Sequence, residues 1–157
     1  MGDFAEFPLR TQLFLRGYPW RTIDPIPWSP LESPLSRARL ALVSTAGFVR
    51  RGGEPFQRRG DSSYREIPSE IPVDELVDTH NSDAFDHAPM RSDPNVAFPL
   101  DRARELVERG RIGSLAPHHL SFMGSIPAPG RLIRDSAPCA ARALRAASVD
   151  VALLVPV

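Results

Sequence analysis

The stretch "RARLALVSTAG", Arg37–Gly47, constrains the fold more than any other. Four apolar residues, Leu40–Val43, run together and then close on Ser44-Thr45-Ala46-Gly47. A short, wholly apolar run stopped by small residues is the pattern of a strand buried on both faces of a parallel sheet. The last residues, "SVDVALLVPV", repeat the pattern, and Asp150–Val157 reads as a second buried strand of this kind. Parallel strands need crossover connections, usually helices. "PLDRARELVERG" supplies one from about Asp101 to Arg109, with Asp101 as N-cap, Leu106 and Val107 on the apolar face, and Gly110 as C-cap. Arg111–Pro117 follows as a strand, with "HHLSFMG", His118–Gly124, as its loop. "RLIRDSAPCAARALRAASV" has helical spacing at Leu132, Ile133, Ala140, Ala143, Leu144 and Ala147, with Pro138 marking a kink or a second start. Weaker strands read at Tyr64–Ile67 and Asp74–His80. The order predicts an α/β fold, a parallel sheet with helices on its faces.

A chain of 157 residues suffices for one domain with a core. Six of the 17 prolines, Pro8, Pro19, Pro25, Pro27, Pro30 and Pro34, fall in residues 1–36. That spacing forbids a long helix. With Trp20, Trp28, Phe4, Phe7, Phe14 and Tyr18 in the same stretch, residues 1–36 read as an extended arm that packs aromatics onto a neighbouring surface. Residues 37–157 form the α/β domain, incomplete at its C-terminal side on the reading given below. Basic and acidic residues balance at 19 each, so no basic field exists for nucleic acid. All the basic residues are arginine, which removes lysine Schiff-base chemistry. No apolar run can span a bilayer, and the N-terminus has acidic residues and no apolar signal core. A cytoplasmic protein is expected. The single cysteine, Cys139, excludes an internal disulfide and reads as a small core residue of the last helix.

In open parallel sheets, ligands bind beyond the carboxyl ends of the strands. Three segments arrive there on this reading: Ser44–Gly47, His118–Gly124, and whatever would follow Val157. Ser44-Thr45-Ala46-Gly47 offers hydroxyls and close access to backbone amides. His118 and His119 point to opposite sides, so one of the two imidazoles faces the site as acid/base or thiolate partner. "THNSDAFDH" clusters His80, Asp83, Asp86 and His87; histidine and carboxylate are metal-ligand types, but the spacing matches no zinc or iron signature. Arg102 lies in a first helical turn, where the dipole does not favour a cation; it binds an anion or pairs with Asp101 or Glu105. A P-loop and a G-x-G-x-x-G are both absent.

Five pieces in order, "ARLALVSTAG", "GDSSYREIPSEIPVDELVDTHNSD", "DPNVAFPLDRARELVERGRIGSLAPHHLSFMGSIP", a helix and "VDVALLVPV", resemble the selenoprotein B family. Its members are the reductase subunits associated with glycine, sarcosine, betaine and D-proline reductases. The likeness covers about residues 38–157, and "PLDRARELVERGRIGSLAP" followed by "HLSFMG" is its most specific part. It implies a Rossmann- or flavodoxin-like three-layer domain that reduces a small-molecule substrate with a selenocysteine or cysteine. It also implies a thiol or thioredoxin-type electron donor, and a homo-oligomer or a partner subunit. In the family the redox motif directly follows the strand matching "DVALLVPV". A selenocysteine codon, UGA, read as a stop after Val157 would leave the chain as given, inactive alone; a natural short form competes with that explanation. The family pattern carries over to Thr45, His80, Asn95, Arg102, His119, Ser121 and Met123. His119 and Thr45 become the expected catalytic residues, and Ser44, Gly47, His80, Asn95, Arg102, Ser121 and Met123 the expected substrate-binding ones, with no metal. His118 stands where relatives often carry Arg, and Leu120 where Tyr is common. Two alternatives stand beside this: a non-catalytic binding or assembly subunit, and a metal-dependent enzyme using His80, Asp83 and His87, with or without His119.

Overall fold

The computed structural model describes residues 4–19, 22–57, 60–82 and 86–157. Trp20 and Asp83 lie outside the described residues. The chain divides into two compact units, residues 1–30 and 31–157. In the first, the stretch expected to be extended contains helix α1 (Leu9–Gly17). Pro8 and Pro19 bracket ten proline-free residues, enough for short helical turns, and Pro8 occupies the N-cap. α1 buries no residue; Leu9, Leu13, Phe14 and Tyr18 are exposed, as is Trp28 further on.

The second unit is a mixed α/β structure with a mostly parallel sheet. Its strands are β1 (Arg39–Ser44), β2 (Phe48–Arg50), β3 (Tyr64–Pro68), β4 (Leu76–Asp78), β5 (Ser114–Leu115), β6 (His118–Phe122) and β7 (Val151–Val155). Its helices are α2 (Ala88–Ser92), α3 (Leu100–Glu108) and α4 (Ala137–Ala146). β1 is central. On one side it pairs in parallel with β7, from Leu40↔Val151 to Ser44↔Val155. On the other it pairs in parallel first with β5, at Arg39↔Ser114 and Leu40↔Leu115, and then with β6, at Val43↔Leu120 and Ser44↔Ser121. β5 and β6 therefore act as one strand with a two-residue slip at Ala116-Pro117, where proline cannot donate to a ladder. β3 closes that edge antiparallel to β6. β2 and β4 pair antiparallel as a separate ribbon.

Alternation along β1 splits the core across the sheet. Leu40 and Leu42 join Ile67, Phe98, Leu100, Ala103 and Ile112 on the α3 face. Val43 joins Leu120, Phe122, Tyr64, Ala140 and Leu144 on the α4 face. No described helix is long and apolar enough to cross a membrane.

Three expectations change and two hold. His118–Phe122 is a strand rather than a loop, because no turn residue interrupts it and four of its five side chains are buried. α3 has Pro99 at its N-cap, and Asn95 Oδ1 accepts the Asp101 N–H at 3.0 Å; a side chain from the preceding turn serves as cap in place of Asp101. Gly110, at φ 64°, closes the C-terminus as expected. Pro138 marks a second start: α4 begins at Ala137 with Pro138 in its first turn, directly after a π-helical segment, Leu132–Ser136. β7 is not buried: among the described residues it pairs only with β1, at the sheet edge, and Leu153 and Leu154 are 45% and 68% exposed.

The packing predicts a contrast between two leucines in apolar strands. Leu42→Ala, at 0% exposure, should cost about 2–5 kcal/mol in urea unfolding. Leu154→Ser on the exposed edge should cost less than about 0.5 kcal/mol.

Candidate functional site

The carboxyl ends of β1, β6 and β7 meet, and the loop after β4 crosses them. Each strand end is tied by a specific bond. Thr45 N donates to Val155 O at 3.1 Å, and Thr45 Oγ1 accepts the Val157 N–H at 2.8 Å. Gly47 N donates to Phe122 O at 2.8 Å, joining β1's turn to β6. Thr79 donates twice to Gly47 O, from its N at 3.1 Å and its Oγ1 at 2.7 Å, which draws the β4 loop over the edge.

Two glycines in left-handed conformation make this crossing possible. Gly47 has φ +66°, and a Cβ there would lie 2.8 Å from His80 Cα. Gly124 has φ +79°, and a Cβ there would lie 2.6 Å from Thr45 O and 3.0 Å from His80 Nε2. Both positions require glycine twice over, for backbone angle and for space. Sequence reasoning singled out Gly47 and passed over Gly124, although a glycine directly after the apolar run "LSFM" is the available signal.

Asp78 organises the loop. Its Oδ1 accepts the His80 N–H at 3.0 Å, and its Oδ2 faces His87 Nδ1 at 2.6 Å and Arg91 Nε at 3.0 Å. His87 Nε2 faces Ser82 O at 2.9 Å. Both His87 nitrogens thus face acceptors, an arrangement that only the doubly protonated ring satisfies. The Ser82 carbonyl first and the Asp78 carboxylate second raise the His87 pKa above the usual 6.5. His80 goes the other way: burial first, and the neighbouring His87 second, lower its pKa, with Asp78 opposing. His80 Nδ1 accepts from Ser82 N at 3.2 Å, which leaves the ring hydrogen of the neutral form on Nε2.

His119 is elsewhere. It is 0% exposed in the middle of β6. Its Nδ1 accepts the Leu42 N–H at 3.0 Å, and its Nε2 lies 2.9 Å from Ser69 Oγ, which in turn donates to Ala116 O. Ser69 N donates to Pro117 O at 2.9 Å. These bonds complete the backbone pairing that the slip at Ala116-Pro117 interrupts. The ring is occupied at both nitrogens, so the expected acid/base assignment has no lone pair to work with. His118 is the exposed one of the two.

The other expected residues separate into edge and framework. Thr45, Gly47 and His80 come together at the edge. Ser44 is fully buried, donating to Ala97 O at 2.7 Å and accepting from Ala46 N at 3.1 Å. Asn95 bridges Asp93 and Asp101. Arg102 pairs with Glu105 at 2.9 Å on the surface of α3. Met123 packs with Val49, Phe56 and Val77. Ser121 is fully buried, and its Oγ has no hydrogen-bond partner among the described residues. Cys139 is exposed rather than a core residue, with Arg142 Nη2 3.0 Å from its Sγ. Among the described residues no three His, Cys, Asp or Glu side chains gather as metal ligands. Of the set His80, Asp83 and His87, with or without His119, His119 is sealed inside the sheet and Asp83 lies outside the described residues.

The fold is mixed α/β, and Thr45, Gly47 and His80 gather where its parallel strands end. A family model, glycine/sarcosine/betaine reductase selenoprotein B, matches residues 8–156, and the chain belongs to that family. The chain is 33% identical over 133 residues to D-proline reductase subunit gamma of Acetoanaerobium sticklandii, covering 84% of this chain and 54% of that one. It is 28% identical over 129 residues to sarcosine reductase complex component B subunit beta of Peptoclostridium acidaminophilum, covering 78% and 29%. A glycine reductase complex component B subunit gamma, from Symbiobacterium thermophilum, is 27% identical over 120 residues, covering 74% and 28%. The chain thus spans about half the length of the first relative and under a third of the other two. No solved structure matches it.

The two histidine environments predict opposite pH effects on stability. Burial first, then Arg104 and His118, lower the His119 pKa from 6.5 to about 4. The unfolded chain therefore binds the proton first as pH falls, and stability is lost progressively from about pH 6.5 towards 4, by about 3 kcal/mol. His87 contributes stability below its unfolded pKa, and this is lost as pH rises through its raised folded value. In urea unfolding across pH, His119→Leu should lower stability near neutrality by about 1–3 kcal/mol, since Leu42 N–H loses its acceptor, and should remove this acid-side loss. An acid limb unchanged in that variant contradicts the assignment.

Proposed function

We propose that this chain is the reductase domain of a thiol- or selenol-dependent enzyme of its family, with the redox residue placed at the carboxyl edge directly after the β7 end at Val157. The observation that carries the reading is the grip of Thr45 Oγ1 on Val157 N, which delivers the chain into the same edge as Gly47, His80 and Gly124. The relatives, subunits of D-proline, sarcosine and glycine reductases, support reductive chemistry on a small amine or amino acid. The nucleophile attacks a carbon of the substrate as the leaving group departs with the bonding pair and takes up a proton; a donor thiol then attacks the chalcogen, the carbon leaves and is protonated, and the resulting selenenyl sulfide or disulfide is reduced by a second thiol of the dithiol or thioredoxin-type donor, which supplies the two electrons. Thr45 orients the strand end, and His119 acts only through the sheet. The two-sided helix cover and the order β3-β6-β1-β7 support a Rossmann- or flavodoxin-like three-layer fold. Partner subunits, a cytoplasmic location and self-association belong to the same proposal.

The test is turnover with a dithiol as reductant and D-proline, sarcosine or glycine as substrate. The 157-residue chain alone should give none, because the nucleophile is supplied after Val157. Turnover that survives Cys139→Ser in the 157-residue chain overturns the reading.

A further inference from the structure

We propose that the cleft between the β2–β4 ribbon and α2 binds a small organic monoanion with an apolar body, its charged group held by Arg91. None of Thr45, Gly47, His80 and Gly124 lines this cleft, so the site stands whether or not the carboxyl edge is a redox site.

The cleft has a volume of about 400 Å³, room for a ligand of one ring and a short side chain. Its floor is apolar. Phe48, Leu76 and Met90 line it, and all three are held in the main core. Phe48 is fixed edge-on against Phe98, with ring centroids 6.4 Å apart. An apolar body laid on this floor leaves water without asking the protein to rearrange.

The rim carries two arginines, Arg91 from α2 and Arg51 just after β2. Each guanidinium is oriented from one side only. Arg91 Nε donates to Asp78 Oδ2 at 3.0 Å, and that carboxylate is 3% exposed. The Arg91 side chain itself is 66% exposed, and its two Nη groups make no hydrogen bond among the described residues. A guanidinium fixed at Nε still presents its Nη pair as a planar fork, which matches the two oxygens of a carboxylate. Arg51 Nη2 donates to Asp74 O at 3.1 Å, with Nη1 unbonded among the described residues.

Charge decides which end takes the anion. Phe48 pairs with Asp78 and Arg50 with Leu76, so Arg91 and Arg51 stand at opposite ends of the ribbon. At the first end, one carboxylate, Asp78, faces two cations, His87 and Arg91, which leaves a surplus positive charge. At the second end, the exposed Asp74 carboxylate offsets Arg51. The anionic group therefore sits at Arg91, with the apolar body running over Leu76 towards Arg51. A second negative charge on the ligand would meet Asp74, which favours a monoanion.

The test is NMR titration of the 157-residue chain with phenylacetate, followed at the Met90 methyl and the Arg91 Nε–H. Both should shift saturably, with a dissociation constant of about 1 mM or below. Phenylacetamide removes the charge and acetate removes the apolar body; each should bind at least about tenfold more weakly. Arg91→Gln should weaken phenylacetate binding about tenfold, and Arg91→Lys, which keeps the charge without the fork, should fall between. Asp74→Asn should tighten phenylacetate and leave phenylacetamide unchanged. The ligand series leaves the protein unaltered, so it decides the matter even where a variant misfolds. No saturable shift at about 10 mM phenylacetate overturns the site. Equal binding of the acid and the amide, or shifts that spare Met90 and Arg91, overturns it too.

Discussion

The sheet depends on how it absorbs the slip at Ala116-Pro117. Two residues are added between β5 and β6 opposite an uninterrupted β1, and each added residue threatens to leave buried backbone groups without partners. His119 and Ser69 close the account. The imidazole accepts the Leu42 N–H, the Ser69 hydroxyl takes the Ala116 carbonyl, and the Ser69 amide takes the Pro117 carbonyl. With those bonds in place β6 regains its register with β1, Val43↔Leu120 and Ser44↔Ser121. The register in turn sets where β6 ends, and so puts Gly124 beside Thr45 and His80. A side chain in the middle of a strand thus positions an edge that it does not touch.

Much of this was legible in the residues. The run Leu40–Val43 and the turn Ser44–Gly47 identify the central strand and one wall of the site. Helix α3 follows from its apolar spacing and its closing Gly110. The failures have physical causes. "HHLSF" reads as a loop because histidine and serine are usually solvated, and only the three-dimensional register reveals that His119 stands in for a backbone acceptor. "VALLV" reads as buried because it is apolar throughout, yet a strand's cover depends on its place in the sheet order and not on its own composition. Asp101 reads as a cap by adjacency, while the actual cap arrives from Asn95 across a turn.

The site itself divides along the same line. Thr45, Gly47 and His80 converge, and each is recoverable from the residues at strand ends and loops. Ser44, Asn95, Ser121 and Met123 are held by the core or by local turns. Asp78 and Gly124 complete the edge; Gly124 is signalled by its place after the apolar run "LSFM", whereas Asp78 carries no signal strong enough to be chosen in advance. A carboxylate that bonds an amide, an imidazolium and a guanidinium at once can be found only after the loop has folded around it.

In the proposed function, the edge beyond Val157 receives a redox-active chalcogen. The most direct measurement is the intact mass and selenium content of the protein from its natural source, with the residue after Val157 read by tandem mass spectrometry. The expected result is a polypeptide that continues past Val157 with selenocysteine or cysteine at once. A natural polypeptide that ends at Val157, or continues with neither residue there, contradicts it.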